Sequence, residues 1–338
     1  MTQLEVFLNG HDDAAWRGAV GELLPSVHEV DRTATQIWFY FFPLALVRAF
    51  RQAEDPEVLA RDLLMQGKWS LKDQVDSSHA FLYGHRFWPE VKQSIVRLAE
   101  SGDGAARAGS LAEVVRAVAA EAARARRVEK SLTLGIAAVG LMTLQQVGLA
   151  EFRRTPGEVL LDRRHARRSP EAILRERARD DSQGLFGFLH TTDRQWTVVW
   201  DENADDRHFK VVNQQEVASG AANDKRPWHE VDERCTIDEG PIPVQCRSAS
   251  CGTCWVGVLG GAEKLSEVAP RERKLMPLLG YIDTDEPRPL IRLSCQARAT
   301  GAVSVVIPPW NGYFGKYLKR RKEASEPGLQ VPSSETTA

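Results

Sequence analysis

Two repeat lengths divide the chain. Up to about residue 150 the apolar positions recur at helical spacing, most clearly as Leu111, Val114, Val115 and Val118 within residues 110–130, and this predicts amphipathic helices. Residues 56–65 and 88–100 read the same way, the polar run His28-Glu29-Val30-Asp31 leads into a dense aromatic and aliphatic stretch over 37–47, and Ser101-Gly102-Asp103-Gly104 is a helix breaker. From Trp196 onward the runs are shorter and β-branched. Trp196-Thr197-Val198-Val199-Trp200 and Phe209-Lys210-Val211-Val212 flank the turn-rich Glu202-Asn203-Ala204-Asp205-Asp206 and predict a hairpin. Trp255-Val256-Gly257-Val258-Leu259, Leu290-Ile291-Arg292-Leu293 and residues 302–307 predict three more strands. Residues 228–238 and 271–279 are predicted helical, the second opened by Pro270. Strands with interspersed helices and no βαβ rhythm give an α+β class. The expected organisation is a mostly α-helical N-terminal domain over 1–152, an Arg-rich linker or helix over 153–190, a strand-containing domain over 191–313, and a basic, then disordered, tail over 314–338.

Residues 131–150 change this picture because they carry no charge. As a helix they would extend about 30 Å, near the thickness of a bilayer core. Gln145, Gln146, three glycines and two threonines dilute the apolar character, so the expectation is a buried central helix of a soluble bundle rather than a membrane span. The chain has 43% hydrophobic and 27% charged residues and a net charge of −2, ordinary globular usage that gives no global argument for nucleic acid. Between Asp201 and Arg298 there are 17 acidic and 13 basic residues, an excess that would steer the region toward a basic partner face.

The candidate chemistry lies in four cysteines. Cys246, Cys251 and Cys254 stand as C-x4-C-x2-C, and Cys295 follows Cys254 after forty residues. This is a spacing used for a 2Fe-2S cluster, in which three thiolates converge from a loop of small residues and a fourth comes from a distant segment. A structural zinc site would more usually show a second Cys or Cys/His pair, and none accompanies Cys295. Disulfides suit small secreted chains, whereas this one has 338 residues, five cysteines and a start, Met1-Thr2-Gln3-Leu4-Glu5, without a basic and then apolar leader. A reducing, cytoplasmic compartment is expected.

The segment from about Gln195 to Pro309 resembles the 2Fe-2S ferredoxins of the plant and vertebrate kind. The resemblance rests on Pro243-Val244-Gln245-Cys246, Cys251-Gly252-Thr253-Cys254, Arg292-Leu293-Ser294-Cys295-Gln296-Ala297 and a closing strand, Gly301-Ala302-Val303-Ser304-Val305-Val306-Ile307-Pro308. The approach to Cys246 and the gap to Cys295 are both longer than that family's common lengths. The resemblance implies a β-grasp fold, a 2Fe-2S cofactor with Cys246, Cys251, Cys254 and Cys295 as metal ligands, and one-electron transfer. Arg247, Ser250, Gly252 and Thr253 would line the cluster loop and tune its potential through charge and hydrogen bonds.

Other features receive plainer readings. Cys235 is expected as a small packed side chain on a helix. His79 and His85, six apart, suit one helical face poorly and are expected to be structural or surface residues, although with His28, Glu29 and Asp31 they could supply a metal or haem site. Nine arginines between Arg153 and Asp180, interspersed with acids, are expected on a solvated linker helix, with an acidic partner, anionic lipid or nucleic acid as the sharper alternative, although no aromatic interleaving supports a nucleic-acid groove. No Gly-rich dinucleotide fingerprint follows a predicted strand, which disfavours a built-in flavin or NAD reductase. The resulting expectation is an electron carrier whose helical half docks a redox partner protein or oligomerises. An oxidoreductase subunit with a second cofactor in that half, or a redox-sensing regulator, stays open.

Overall fold

The computed structural model describes residues 1–67, 75, 77–101, 109–157, 161, 163–177, 179, 194–281 and 285–325. Residues 102–104 of the expected breaker, 158–160, 162, 178 and 180–190 of the Arg-rich segment, 191–193 of the strand-containing domain and 326–338 of the tail therefore lie outside the described residues.

In the N-terminal half the uncharged stretch forms the helix Ser131–Val147, and fifteen of its residues, Thr133 through Val147, are buried. Its glycines let neighbours approach: a Cβ at Gly135 would stand 2.4 Å from Thr35 Oγ1, and one at Gly140 would stand 2.7 Å from Ile95 Cδ1. Helices Gln3–Asn9, Glu29–Phe41, Trp88–Glu100 and Leu111–Arg126 surround it. Of the polar side chains that dilute its hydrophobicity, Thr133 and both glutamines find partners, whereas the Thr143 hydroxyl is buried without one. Gln145 Oε1 accepts from Trp16 Nε1 (2.6 Å), its Nε2 donates to the His11 carbonyl (2.9 Å), and Gln146 Nε2 donates to the Phe42 carbonyl (2.8 Å). Burying an amide without such partners costs a few kcal/mol, so these bonds suit the helix to a protein interior. Among the described residues no helix is long and apolar enough to cross a membrane.

The aromatic run over 37–47 does not form one helix. Pro43 cannot donate within a helix, and the chain breaks there between Glu29–Phe41 and Leu44–Gln52. Pro43 also brings no capping side chain, and Asp13 replaces it by accepting from Leu44 N (2.7 Å) and Ala45 N (2.8 Å). His28 caps the preceding helix through Val30 N (3.2 Å). His79 and His85 are both buried and face each other, Nδ1 to Nδ1 at 2.6 Å, with His79 Nε2 at 3.0 Å from the Val75 carbonyl.

The C-terminal half holds a mixed sheet. After β1, Gln66–Gly67, come β2, Gln195–Val199; β3, His208–Val212; β4, Trp255–Gly260; β5, Ile291–Leu293; β6, Val303–Val306; and β7, Trp310–Asn311. The five-stranded order is β3-β2-β6-β4-β5, with β2 and β6 parallel at the centre and the other pairs antiparallel. This is the β-grasp arrangement of an α+β domain. The helix Pro270–Leu275 and the 3-10 turn Met276–Leu279 follow β4 as expected.

The expected helix over 228–238 is absent. Only a 3-10 turn, Trp228–Glu230, forms. Asp232 instead accepts from Arg234 N (3.0 Å), an Asx turn, and Asp238 is left-handed at φ 63°; both compete with helix. Cys235 is buried there in a turn, not on a helix, and its thiol donates to the Pro241 carbonyl (3.3 Å). Burial above all, and then Asp232, pushes that thiol up to about 12. The helix Val217–Ala221 was not foreseen.

The two halves share one interior. A single cluster of buried apolar side chains runs from Leu4 to Phe314. Helix Glu29–Phe41 lies directly on β4, where a Cβ at Gly257 would come within 2.6 Å of Ile37 Cγ2 and 3.0 Å of Phe41 Cζ. The Arg-rich segment is an internal staple as well as a connector. Arg177, with 7% of its side chain exposed, donates from Nε and Nη2 to Glu202 (2.7 Å each) and from Nη1 to the Val30 carbonyl (2.8 Å). A third junction is the antiparallel pairing of β1 with β7, Gln66 opposite Asn311. The tail begins as a helix, Phe314–Ser325, anchored by fully buried Phe314.

Candidate metal centre

The four cysteines come from two places that the sheet brings together. Cys246 and Cys251 lie in the loop before β4, Cys254 stands at its start, and Cys295 follows the end of β5. Because β4 pairs with β5 at Trp255 opposite Leu293, Ser294 N donates to the Cys254 carbonyl (3.0 Å), and the turn carrying Cys295 meets the loop.

The loop is wound tightly around sulfur. Arg247 (φ 50°), Ala249 (φ 50°) and Gly252 (φ 73°) are all left-handed. For the two non-glycine residues this costs on the order of 1 kcal/mol each and is the kind of strain retained at functional sites. What it achieves is visible in the hydrogen bonds. The backbone N–H groups of Ser248 (3.5 Å), Ser250 (3.3 Å) and Cys251 (3.3 Å) all donate to Cys246 Sγ. Thr253 N (3.5 Å) and Thr253 Oγ1 (3.2 Å) converge on Cys251 Sγ. Gly252 is required twice, for its φ and because a Cβ would fall 2.7 Å from Leu279 Cδ2.

The electrostatics divide the thiols. Burial opposes ionisation of Cys246, but the Ser250 hydroxyl and the Ser248 and Ser250 N–H groups outweigh it and pull the thiol down to about 5. Cys254 and Cys295 are free thiols joined by a hydrogen bond. That bond, with burial, pushes Cys254 well above the usual thiol range, and it brings Cys295 down to about 7, helped by Gln296. Ser294 Oγ is buried beside Cys254, where its hydroxyl works against Cys295 and burial to lower that thiol.

Of the four residues expected to line the loop, Ser250, Gly252 and Thr253 bear on sulfur as just described. The Arg247 guanidinium turns away to pair with Glu239. Sequence reasoning missed the supports behind the loop. Tyr313 Oη donates to the Ser250 carbonyl (2.8 Å), and Asn311 Nδ2 donates to the Thr253 carbonyl (2.5 Å). Fully buried Glu272 holds Arg292 through Oε1 (2.9 Å) and Oε2 (3.0 Å) and accepts from Leu293 N (2.7 Å), fixing β5 two residues before Cys295. The available signal was the cluster Trp310-Asn311-Gly312-Tyr313 beyond two prolines; Glu272 stands among Arg271, Arg273 and Lys274 on a mostly exposed helix and gave none.

Among the described residues no group of three or more His, Cys, Asp or Glu side chains is arranged around a single metal ion. A 2Fe-2S cluster asks for something else: two thiolates per iron, in two pairs separated by the bridging sulfides. Two thiol pairs are what the loop and the β5 turn present, with N–H groups aimed at sulfur and the buried Ser294 hydroxyl beside Cys254, so the residues present fit that group.

Residues 221–300 match the family model described as the 2Fe-2S iron-sulfur cluster binding domain. The C-terminal region is thus a domain that binds a 2Fe-2S cluster, and the match takes in all four cysteines but none of the helical half. No curated protein and no solved structure matches the chain.

Proposed function

We propose that this protein is a one-electron carrier in which Cys246 and Cys251 hold one iron of the 2Fe-2S cluster and Cys254 and Cys295 hold the other. The observation that carries the reading is the pairing of thiols, each pair served by its own donors. When bound, such a cluster accepts and releases a single electron. The chain's part is to place four thiolates, to spread the added negative charge over N–H and hydroxyl donors, and to exclude water on the Cys254 and Cys295 side, where exposure is 2% and 6%. With cysteine at every ligand position the potential belongs near the plant-type value, on the order of −400 mV.

The opposite edge carries exposed Ser248 and Ser250 and half-buried Cys246 and Cys251, which makes it the face where a redox partner protein exchanges the electron. The helical half covers one face of the sheet and leaves that edge open, and its part is to dock that partner or to self-associate. The chain transforms no substrate of its own in this reading.

Single Cys→Ser variants test the ligand set. Loss of iron and sulfide from each of the four, with Cys235→Ser indistinguishable from the parent in iron content and spectrum, is the expected pattern. A Cys235 variant that loses iron while a Cys295 variant keeps it contradicts the assignment.

A further inference from the structure

The short segment from Trp310 to Tyr313 is bonded on one side to the helical half and on the other to the cysteine loop. Toward the helical half, Trp310 Nε1 donates to the Phe41 carbonyl (2.9 Å), Tyr313 N donates to the Leu63 carbonyl (2.8 Å), and β7 pairs with β1. Toward the loop, Trp255 Nε1 donates to the Trp310 carbonyl (3.2 Å), and Asn311 and Tyr313 reach the Thr253 and Ser250 carbonyls.

Asn311 is the centre of this strap. It is 3% exposed, and both ends of its amide are engaged: Nδ2 with the Thr253 carbonyl, and Oδ1 with Arg234 Nη1 (2.5 Å). Arg234 is itself fixed by Asp232 and the Pro308 carbonyl (2.8 Å). Buried amides satisfied at both ends hold one geometry. That geometry matters because Thr253 is the residue whose N–H and hydroxyl both reach Cys251 Sγ. The hydroxyl has one proton and two acceptors within range, Cys251 Sγ at 3.2 Å and Gln245 Oε1 at 3.2 Å. Which acceptor it serves follows from the torsions of the Thr253 side chain, on a backbone whose position the Asn311 bond to the Thr253 carbonyl helps to fix.

We propose that Asn311, clamped by the helical half through β1 and β7, is a positioning residue that sets the Thr253 donors on Cys251 and thereby the potential of the cluster. Hydrogen bonds to a ligand sulfur favour the more negative, reduced state, so weakening them lowers the potential. This rests on Cys251 being a ligand. It also makes the helical half part of the redox tuning: whatever binds there and moves the strap changes the potential, and reduction changes that binding by the same factor.

The test is a double-mutant cycle read as the midpoint potential of the full-length protein, alongside iron and sulfide content and thermal unfolding. Asn311→Ala and Thr253→Val are each expected to keep two irons and to shift the potential to more negative values, and the double variant is expected to shift less than the sum of the two. Asn311→Asp keeps the Arg234 contact and the side-chain shape while removing the donor. It serves if the alanine variant does not fold, and the same shortfall from additivity is expected with Thr253→Val. Unchanged potential with lowered thermal stability would reduce Asn311 to a structural role, and fully additive shifts would disconnect it from Thr253; either overturns the proposal. Absence of a cluster from the parent protein would instead remove the ligand assignment beneath it.

Discussion

The helix Ser131–Val147 and the loop from Cys246 to Cys254 are the two most specialised stretches of the chain, and they are specialised in opposite ways. The helix keeps ordinary backbone geometry, carries no charge, and meets its neighbours through close apolar packing, with a few glutamines bonded into the interior. The loop has little apolar surface, three left-handed residues and a set of N–H groups directed at sulfur. One stretch maximises burial; the other accepts strain to create an electrostatic environment. The difference shows where each half is vulnerable: the helical half to anything that opens its core, the loop to anything that releases the supports behind it.

Four perturbations separate those vulnerabilities, in order of expected size. Cutting the chain before β2 should have the largest effect. A fragment spanning 194–325 would expose the face of β4 that Ile37 and Phe41 cover and would leave β7 without β1. It is expected to aggregate or remain unfolded, and circular dichroism of the isolated fragment checks this. Folding with a full complement of iron would show that the shared core is dispensable, as a self-contained domain over 191–313 would have it.

Leu141→Arg comes next. Leu141 is fully buried, and a charge without a partner there costs several kcal/mol, so denaturant unfolding should show the helical half lost at neutral pH. Third, Glu272→Ala leaves Arg292 as an unpaired buried charge and is expected to cost about 3–5 kcal/mol. Because Arg292 lies close before Cys295, iron should be lost at lower denaturant than in the parent. An unshifted midpoint would mean the pair contributes nothing net.

The smallest effect is a pH dependence in the helical half. Burial, with the neighbouring Arg86, pushes His85 down to about 4, and burial with His85 pushes His79 well below its ordinary range. The unfolded chain therefore takes up protons at these imidazoles as pH falls below about 6.5 while the folded chain does not, and stability drops, by about 3 kcal/mol from His85 alone once pH reaches about 4. Asp31 acts in reverse. Burial pushes it up to about 6, against the Gly84 and Tyr83 N–H groups that it accepts from at 2.6 Å each. The folded state gains its proton first, which adds about 3 kcal/mol as pH falls from about 6 to below 3.8. Asp31→Asn should therefore fall away from the parent in denaturant unfolding as pH drops from 7 to 4, a comparison in which any acid loss of the cluster is common to both proteins. Parallel profiles would contradict the assignment.

Much of this architecture was legible in the residues. Cysteine spacing speaks directly because ligation fixes it, and β-branched runs located β2, β3, β4 and β6 because strand packing selects those side chains. What was not legible was which surface covers which. Trp255-Val256-Gly257-Val258-Leu259 does not alternate, the mark of a strand buried on both faces, yet nothing in it names helix Glu29–Phe41 as the cover. The Asx turn at Asp232 was hidden among charges that suit a helix equally well. Arg177 read as a solvated arginine because its partners, Glu202 and the Val30 carbonyl, lie far away in sequence. Asn311 acquires its meaning only when β7 meets both β1 and the cysteine loop.

The central claim is that four cysteines in two pairs hold a single one-electron centre. Reductive titration of the anaerobically prepared full-length protein, followed by paramagnetic resonance with iron and sulfide counted on the same sample, tests it most directly. Two irons and two sulfides per chain, a diamagnetic oxidised state, and uptake of one electron to give one unpaired spin per chain are expected. One zinc with no sulfide, or uptake of more than one electron per chain, would contradict it.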